Sequence, residues 1–205
     1  MSSYIENKVL VLFAHPAIQK SRVNKKLAEP AADLEGVTFH DIYESYPDFL
    51  IDVQREQQLL KEHEVIILQH PFYWYSGPAI IKEWQDLVLE FGFAYGPEGT
   101  ALKGKKMMNV ISTGGSKETY ETEGHNRYTV RQFLRPFEQT ANLCGMLYLP
   151  PFVIYDSIQI NVNLDLHLYV ELYRNILVSL RDNKLDMKKL SELEYMNEYF
   201  TDTKE

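Results

Sequence analysis

The chain has 205 residues, 45% of them hydrophobic and 24% charged, enough to bury one full core and the usual size for a single domain spanning 1–205. Lys and Arg total 21 against 29 Asp and Glu, a formal net charge of −8, which argues against nucleic acid as a partner because its recognition normally needs a basic face. A single cysteine, Cys144, forbids an internal disulfide, and the N-terminus MSSYIENKVL lacks the basic-then-apolar layout of a signal peptide, so the cytoplasm is the expected compartment.

Lys8 to Ala14 is a continuous β-prone run, as in a strand buried on both faces, and it stops at His15-Pro16. Ser21 is a candidate N-cap for a helix through Asn24, Leu27 and Ala31, with Pro30 ending or kinking it. Val37 to Tyr43 reads as a second strand and Glu56 to Glu62 as a polar helix. Glu64 to Gln69 is a third apolar strand, again closed by a His-Pro pair. Pro78 to Phe91 carries Ile81, Trp84, Leu87, Val88 and Phe91 at helical spacing, and Lys106 to Ser112 is a fourth strand. Arg127 to Gly145 reads as one helix kinked at Pro136, and Leu147 to Tyr155 as a fifth strand compromised by Pro150-Pro151. The longest apolar stretch, Met146 to Tyr155, contains it and is about half the roughly 20 residues a membrane helix needs. Leu164 to Arg181 repeats leucine or isoleucine every four residues and closes the domain. The charged tail 186–205 is either a short packed helix or a frayed end.

Strands alternating with helices predict an α/β fold with a parallel sheet covered on both sides. Five strands fit a flavodoxin-like three-layer sandwich, with a five-stranded parallel sheet in the order 2-1-3-4-5. In that order the loops after the first, third and fourth strands meet where open sheets of this kind bind ligands. These loops are also the least ordinary segments of the chain. The first opens a helix N-terminus, where free N–H groups and the helix dipole favour an anion such as phosphate, with His15, Ser21, Arg22 and Asn24 as added donors. No G-x-G-x-x-G is present, so a dinucleotide fingerprint is absent. The second packs Phe72, Tyr73, Trp74 and Tyr75 into consecutive positions. Those side chains cannot all face one core, and some must border a pocket or an interface. The third supplies Gly114 and Gly115, whose missing side chains let backbone approach a ligand, followed by Tyr120 and His125 as proton or hydrogen-bond donors.

Taken together, Ala14-His15-Pro16 with Ser21 to Asn24, the run Gln69 to Pro78, Lys82-Glu83-Trp84, Phe93-Ala94-Tyr95-Gly96 and Thr113-Gly114-Gly115 resemble the flavodoxin-like NAD(P)H:quinone oxidoreductases. Tyr46-Pro47-Asp48-Phe49 and Leu149-Pro150-Pro151-Phe152 are most similar to the short bacterial members, which include ancillary subunits of glutathione-regulated potassium-efflux systems. The resemblance implies a non-covalent flavin and a two-electron, ping-pong reduction of quinones by NADPH or NADH through flavin N5. Its motifs suit FMN and FAD alike, and the shortness of the chain beside the long members of the family favours FMN, with FAD as the alternative. It implies that His15, Ser21, Arg22, Val23 and Asn24 hold the phosphate side, and that Phe72, Tyr73, Trp74 and Tyr75 hold the isoalloxazine with Thr113, Gly114, Gly115 and Ser116. Tyr120 and His125 would flank the ring as catalytic groups. A homodimer with shared sites is implied too, as is, for this branch, a regulatory role on a membrane potassium-efflux protein and a peripheral place at the inner membrane face. One departure is Tyr73, where such loops often carry Gln before the Trp.

A strand ending in Ala-His-Pro also occurs in zinc-dependent deacetylases, but there acidic residues follow at once, and here Ala17-Ile18 follows. His40, His63, His70 and His167 show no ligand spacing, so no metal is expected. Cys144 falls on the apolar helix pattern and reads as a small core residue.

Overall fold

The computed structural model describes residues 6–160 and 165–200. Its centre is a wholly parallel sheet of β1 (Val9–Phe13), β2 (Val37–Asp41), β3 (Val65–Pro71), β4 (Lys106–Ser112), β5 (Leu147–Tyr148) and β6 (Phe152–Ile154). The path β2-β1-β3-β4-β5 is the predicted order, and β6 is an additional strand, paired to β4, that the sequence reading did not separate. Every residue of β1 and β3 is buried, which is why β1 and the Val65 to Leu68 part of β3 read as unbroken apolar runs rather than alternations. Alternate side chains feed two cores. Leu10, Leu12, Ile66, Leu68, Met107 and Ile111 join one, and Val9, Val11, Val65, Ile67, Met108 and Val110 the other.

Helices cover both faces. On the first lie α2 (Ile42–Ser45), α3 (Val53–Glu62), α4 (Ala79–Val88), α5 (Val130–Phe133) and α6 (Arg135–Leu143). On the second lie α1 (Arg22–Asp33), α7 (Asp165–Arg181) and α8 (Met187–Ser191). The start proposed for α7 at Leu164 falls outside the described residues.

Several boundaries differ from the sequence reading, each for a local reason. β2 stops at Asp41, whose carboxylate caps α2 by accepting from Glu44 N at 3.1 Å. Asp52 caps α3 in the same way, so that helix starts at Val53 rather than Glu56. Glu56, read as part of a polar helix, is fully buried. Its carboxylate accepts from His40 Nε2, Tyr46 OH and Trp84 Nε1 at 2.7–2.8 Å. Burial would raise its pKa, but the donated hydrogen bonds outweigh that and lower it. The stretch 127–145 is two helices. Arg127 has φ 60, a Thr129/Gln132 capping box starts α5, and the chain turns at Leu134 so that Pro136 sits in the first turn of α6.

The fifth strand is split into β5 and β6. Lys106 pairs with Leu147 but Val110 pairs with Phe152, so the edge strand holds one extra residue across Leu149-Pro150-Pro151. This is a bulge where proline has no ladder N–H to offer. Of the tail, the described residues 186–200 are packed, and 201–205 lie outside the described residues. Leu190 and Met196 are buried, and a 3-10 turn at Met196–Glu198 follows α8. Met196 N donates to Pro151 O at 2.9 Å, and the Asn197 amide pairs with both backbone groups of Val153 at 2.9 and 2.8 Å. The tail therefore covers part of the sheet edge that would otherwise be open.

Candidate functional site

The register brings the C-terminal ends of β1, β3 and β4 level. Ala14 N donates to Gln69 O at 2.9 Å, Phe72 N to Ser112 O at 2.9 Å and Thr113 N to Ile154 O at 2.8 Å. Each strand releases its loop at one height, and the loops surround a cleft of about 550 Å³. His15, Ser21, Arg22, Val23, Asn24, Phe72, Tyr73 and Gly114 line it, with Lys20, Ser112, Ser157 and Ile158.

One wall is the start of α1. Ser21 caps it, its hydroxyl accepting from Asn24 N at 3.2 Å and Asn24 Nδ2 at 3.1 Å, while Asn24 Nδ2 also reaches Ser112 Oγ at 2.9 Å. The cap satisfies the amide at Asn24 and leaves those of Arg22 and Val23 as the first-turn donors that α-helix geometry does not pair internally. Lys20 and Arg22 flank this end, and among the described residues no carboxylate lines the cleft. On a chain of net charge −8 this is a local anion site. Among the described residues Asn24 Oδ1 is buried without a partner, an acceptor that a hydroxylated ligand would satisfy. His15 is buried beside it. Its Nδ1 accepts from Ala17 N at 3.1 Å, and desolvation lowers its pKa, so the ring is neutral with Nε2 protonated.

The opposite wall is the aromatic loop. Ser76 N donates to Tyr73 O at 3.0 Å, and the turn between them places Trp74 and Tyr75 at φ 49 and 64. Two successive left-handed residues define a type I′ turn, a place where Asn-Gly is normal and two aromatics carry strain. Trp74 is 93% exposed, and Tyr73 and Tyr75 are about half exposed. Phe72 is buried and meets Tyr75, Tyr120 and Phe133 edge-on, while Tyr75 stacks on Phe133 at 4.9 Å.

The glycine loop forms the third side. Thr113 Oγ1 donates to Gly115 O at 2.8 Å, and Asp156 N and Ser157 N bond to Gly115 O and Thr113 O, pinning the loop to the turn after β6. A Cβ on Gly114 would stand 3.3 Å from Ile158 Cδ1, so a side chain there would crowd the cleft wall. Arg22 Nη2 donates to Ile158 O at 3.0 Å, joining α1 to the turn after β6.

Of the other residues picked from sequence, Trp74, Tyr75, Thr113, Gly115 and Ser116 sit in the same loops without lining the cleft. Tyr120 packs under the aromatic loop rather than in the cleft, and His125 is exposed beyond it. Three contributors were missed. Phe133 gathers four aromatic rings, Asn126 accepts from Tyr75 OH at 3.3 Å and hydrogen-bonds Tyr120, and Ile158 belongs to a fourth loop. Ile158 could have been found, since the fifth strand neighbours β4 in the predicted order and Asp156-Ser157 follows it as a turn signal.

The family model for the flavodoxin-like fold matches residues 7–176. This chain belongs to that family. The glutathione-regulated potassium-efflux system ancillary protein KefG of Serratia proteamaculans is 54% identical over 148 residues, 72% of this chain and 81% of that protein. The crystal structure of general stress protein 14 from Treponema denticola in complex with FMN superposes with a TM-score of 0.76 at 34% identity, covering 86% of this chain and 98% of that one. An NADPH-quinone reductase from P. pentosaceus gives a TM-score of 0.75 at 30% identity, covering 82% and 96%.

Proposed function

We propose that the chain is an FMN-dependent NAD(P)H:quinone oxidoreductase, acting as a homodimer. The observation that carries this reading is the cleft itself, a helix N-terminus flanked by Lys20 and Arg22 and, among the described residues, free of lining carboxylates, set against a strained aromatic turn. A flat, phosphorylated, hydroxylated cofactor matches the aromatic turn, the anion site and the Asn24 Oδ1 acceptor at once. The FMN complex of a relative with 34% identity supports FMN over FAD, and the NADPH-quinone reductase among the relatives supports the reaction class.

In this reading the amides of Arg22 and Val23, with Ser21 and Arg22 side chains, bind the phosphate, and the free end of the Asn24 amide takes a hydroxyl of the linking chain. The backbone of Phe72 to Tyr75 and of Thr113 to Ser116 holds the ring. FMN, when bound, supplies the centre that takes hydride from NADPH or NADH and passes it to a quinone. The glycine loop offers fixed dipoles where charge develops, in the manner of preorganised oxyanion stabilisation. Burial raises the Tyr120 pKa, so its phenol stays protonated as a donor at neutral pH. His125, exposed in the single chain, is the second polar group at that end. Trp74, Tyr128, Phe91 and Leu87 are exposed apolar side chains, and a second copy covering them would exclude water from the ring.

Purified protein reconstituted with FMN should oxidise NADPH or NADH only when a benzoquinone is supplied. Absence of quinone-dependent turnover with FMN bound would overturn the assignment. The identity with KefG favours a second, compatible reading as an ancillary subunit of a glutathione-regulated potassium-efflux system. Co-purification with a membrane efflux protein tests it.

A further inference from the structure

Beyond residue 176, where the family model ends, the chain completes α7 and continues through α8 to the 3-10 turn at Met196–Glu198. The clamp of Met196 on Pro151 and of Asn197 on Val153 fixes this segment to the sheet edge and delivers one aromatic side chain toward the candidate site. That residue is Tyr195, only 5% exposed. Its ring meets Tyr155 at 6.5 Å and 80°, Tyr155 meets Tyr120 at 6.3 Å, and Tyr120 meets Phe72 of the aromatic loop at 5.8 Å. The Tyr195 hydroxyl also accepts a long hydrogen bond from Arg131 N at 3.5 Å, in the first turn of α5, the helix whose Phe133 packs on Tyr120 and Tyr75. Tyr195 therefore touches two of the supports of Tyr120, the ring behind it and the helix beside it.

A second cavity, of about 370 Å³, runs along this row between the Lys117–Glu123 loop and the tail, with Tyr120, Tyr155 and Tyr195 among its walls. Empty space beside a ring gives that ring another place to go, because packing is what fixes a rotamer. Resting on the reading that Tyr120 serves the ring end of the cleft, we propose that Tyr195 is a positioning residue for Tyr120, holding Tyr155 against it so that neither ring falls into the second cavity. Burial and the neighbouring Tyr195 phenol both raise the Tyr155 pKa, so the row packs as neutral phenols.

The first test needs no cofactor. In FMN-free protein with ring-labelled tyrosine, Tyr195→Leu should shift the NMR resonances of both Tyr155 and Tyr120, while Tyr173, buried on the other face, stays put and reports an intact fold. Tyr195→Phe, which keeps the ring, should leave Tyr120 in place. Should Tyr195→Leu fail to fold, Asn197→Ala, which loosens the clamp and keeps every ring, must move the Tyr120 resonance. A Tyr120 resonance that ignores these changes overturns the proposal. The second test is a double-mutant cycle on the FMN-loaded enzyme. Tyr195→Leu should lower kcat about fivefold in the natural sequence and not at all in a Tyr120→Phe background, the non-additivity expected of packed neighbours. Equal losses in both backgrounds would make Tyr195 merely structural. If Tyr120→Phe alone leaves turnover unchanged, the reading of Tyr120 fails, and the NMR result still decides the positioning.

Discussion

Trp74 and Tyr75 stand in succession at positive φ, and the Trp74 side chain meets almost nothing but solvent in the single chain. A non-glycine residue in that region costs about 1–2 kcal/mol, less for Asn. Trp74→Asn should therefore hold or raise the thermal midpoint of the isolated chain while weakening FMN binding or dimerisation; a large fall in the midpoint would show that the ring has a stabilising partner within its own chain. His70 makes an opposite case, a polar side chain with no exposure at all. Its Nδ1 donates to Pro71 O at 2.9 Å, its Nε2 accepts from Asn109 Nδ2 at 3.1 Å, and Tyr148 OH donates to Asn109 Oδ1 at 2.7 Å. Burial pushes its pKa down to about 4 from 6.5, although the Pro71 bond works the other way. The unfolded chain thus binds more protons between those values, so stability is full above about pH 6.5 and is lost as pH falls through about 4, by on the order of 3 kcal/mol. Urea denaturation at pH 7 and pH 4.5 should show this loss, reduced in His70→Gln; an unchanged slope in the variant would remove His70 as its source. At this scale the sequence made His15 and Ser21 to Asn24 legible because a strand end and a cap mark them. Asn126 and Phe133 were hidden because only tertiary contact with Tyr75 and Tyr120 gives them a role.

Elements were legible where periodicity was long and obscured where caps cut it short. β1 and the first half of β3 announce themselves as apolar runs, β4 as a largely apolar stretch, and α1 follows its Ser21 cap as expected. The split of 127–145 into α5 and α6 comes from Thr129 and Gln132, a capping-box spacing present in the sequence but overridden by the apolar pattern running through it. The division of β5 from β6 follows from Pro150-Pro151, which the sequence flags, while the extra residue in the edge strand appears only through register. The consequence for stability lies in the tail, which no periodicity could have docked. Asn197→Ala leaves Val153 N–H and C=O without partners, at a cost of about 1–3 kcal/mol, and hydrogen exchange at Val153 should accelerate accordingly. Exchange as slow as in the natural sequence would mean that another group pairs that edge.

Over the whole molecule, the acidic balance and the anion-binding cleft are opposite in sign. The net charge of −8 repels anionic ligands at long range, while Lys20, Arg22 and the α1 N-terminus attract them at short range. Affinity for a phosphorylated cofactor should thus be concentrated in its phosphate end. The 13% aromatic content divides in the same way between two roles, with rings such as Tyr173 and Phe152 filling core and Trp74, Tyr73 and Tyr75 left on the rim of the cleft. Titrating cofactor-free protein with FMN and with riboflavin, which differ only by the phosphate, tests this account most directly. It predicts one FMN per chain and riboflavin binding weaker by about tenfold or more, the worth of a charge-assisted phosphate site. Equal affinity for the two, or no binding of either, would contradict it.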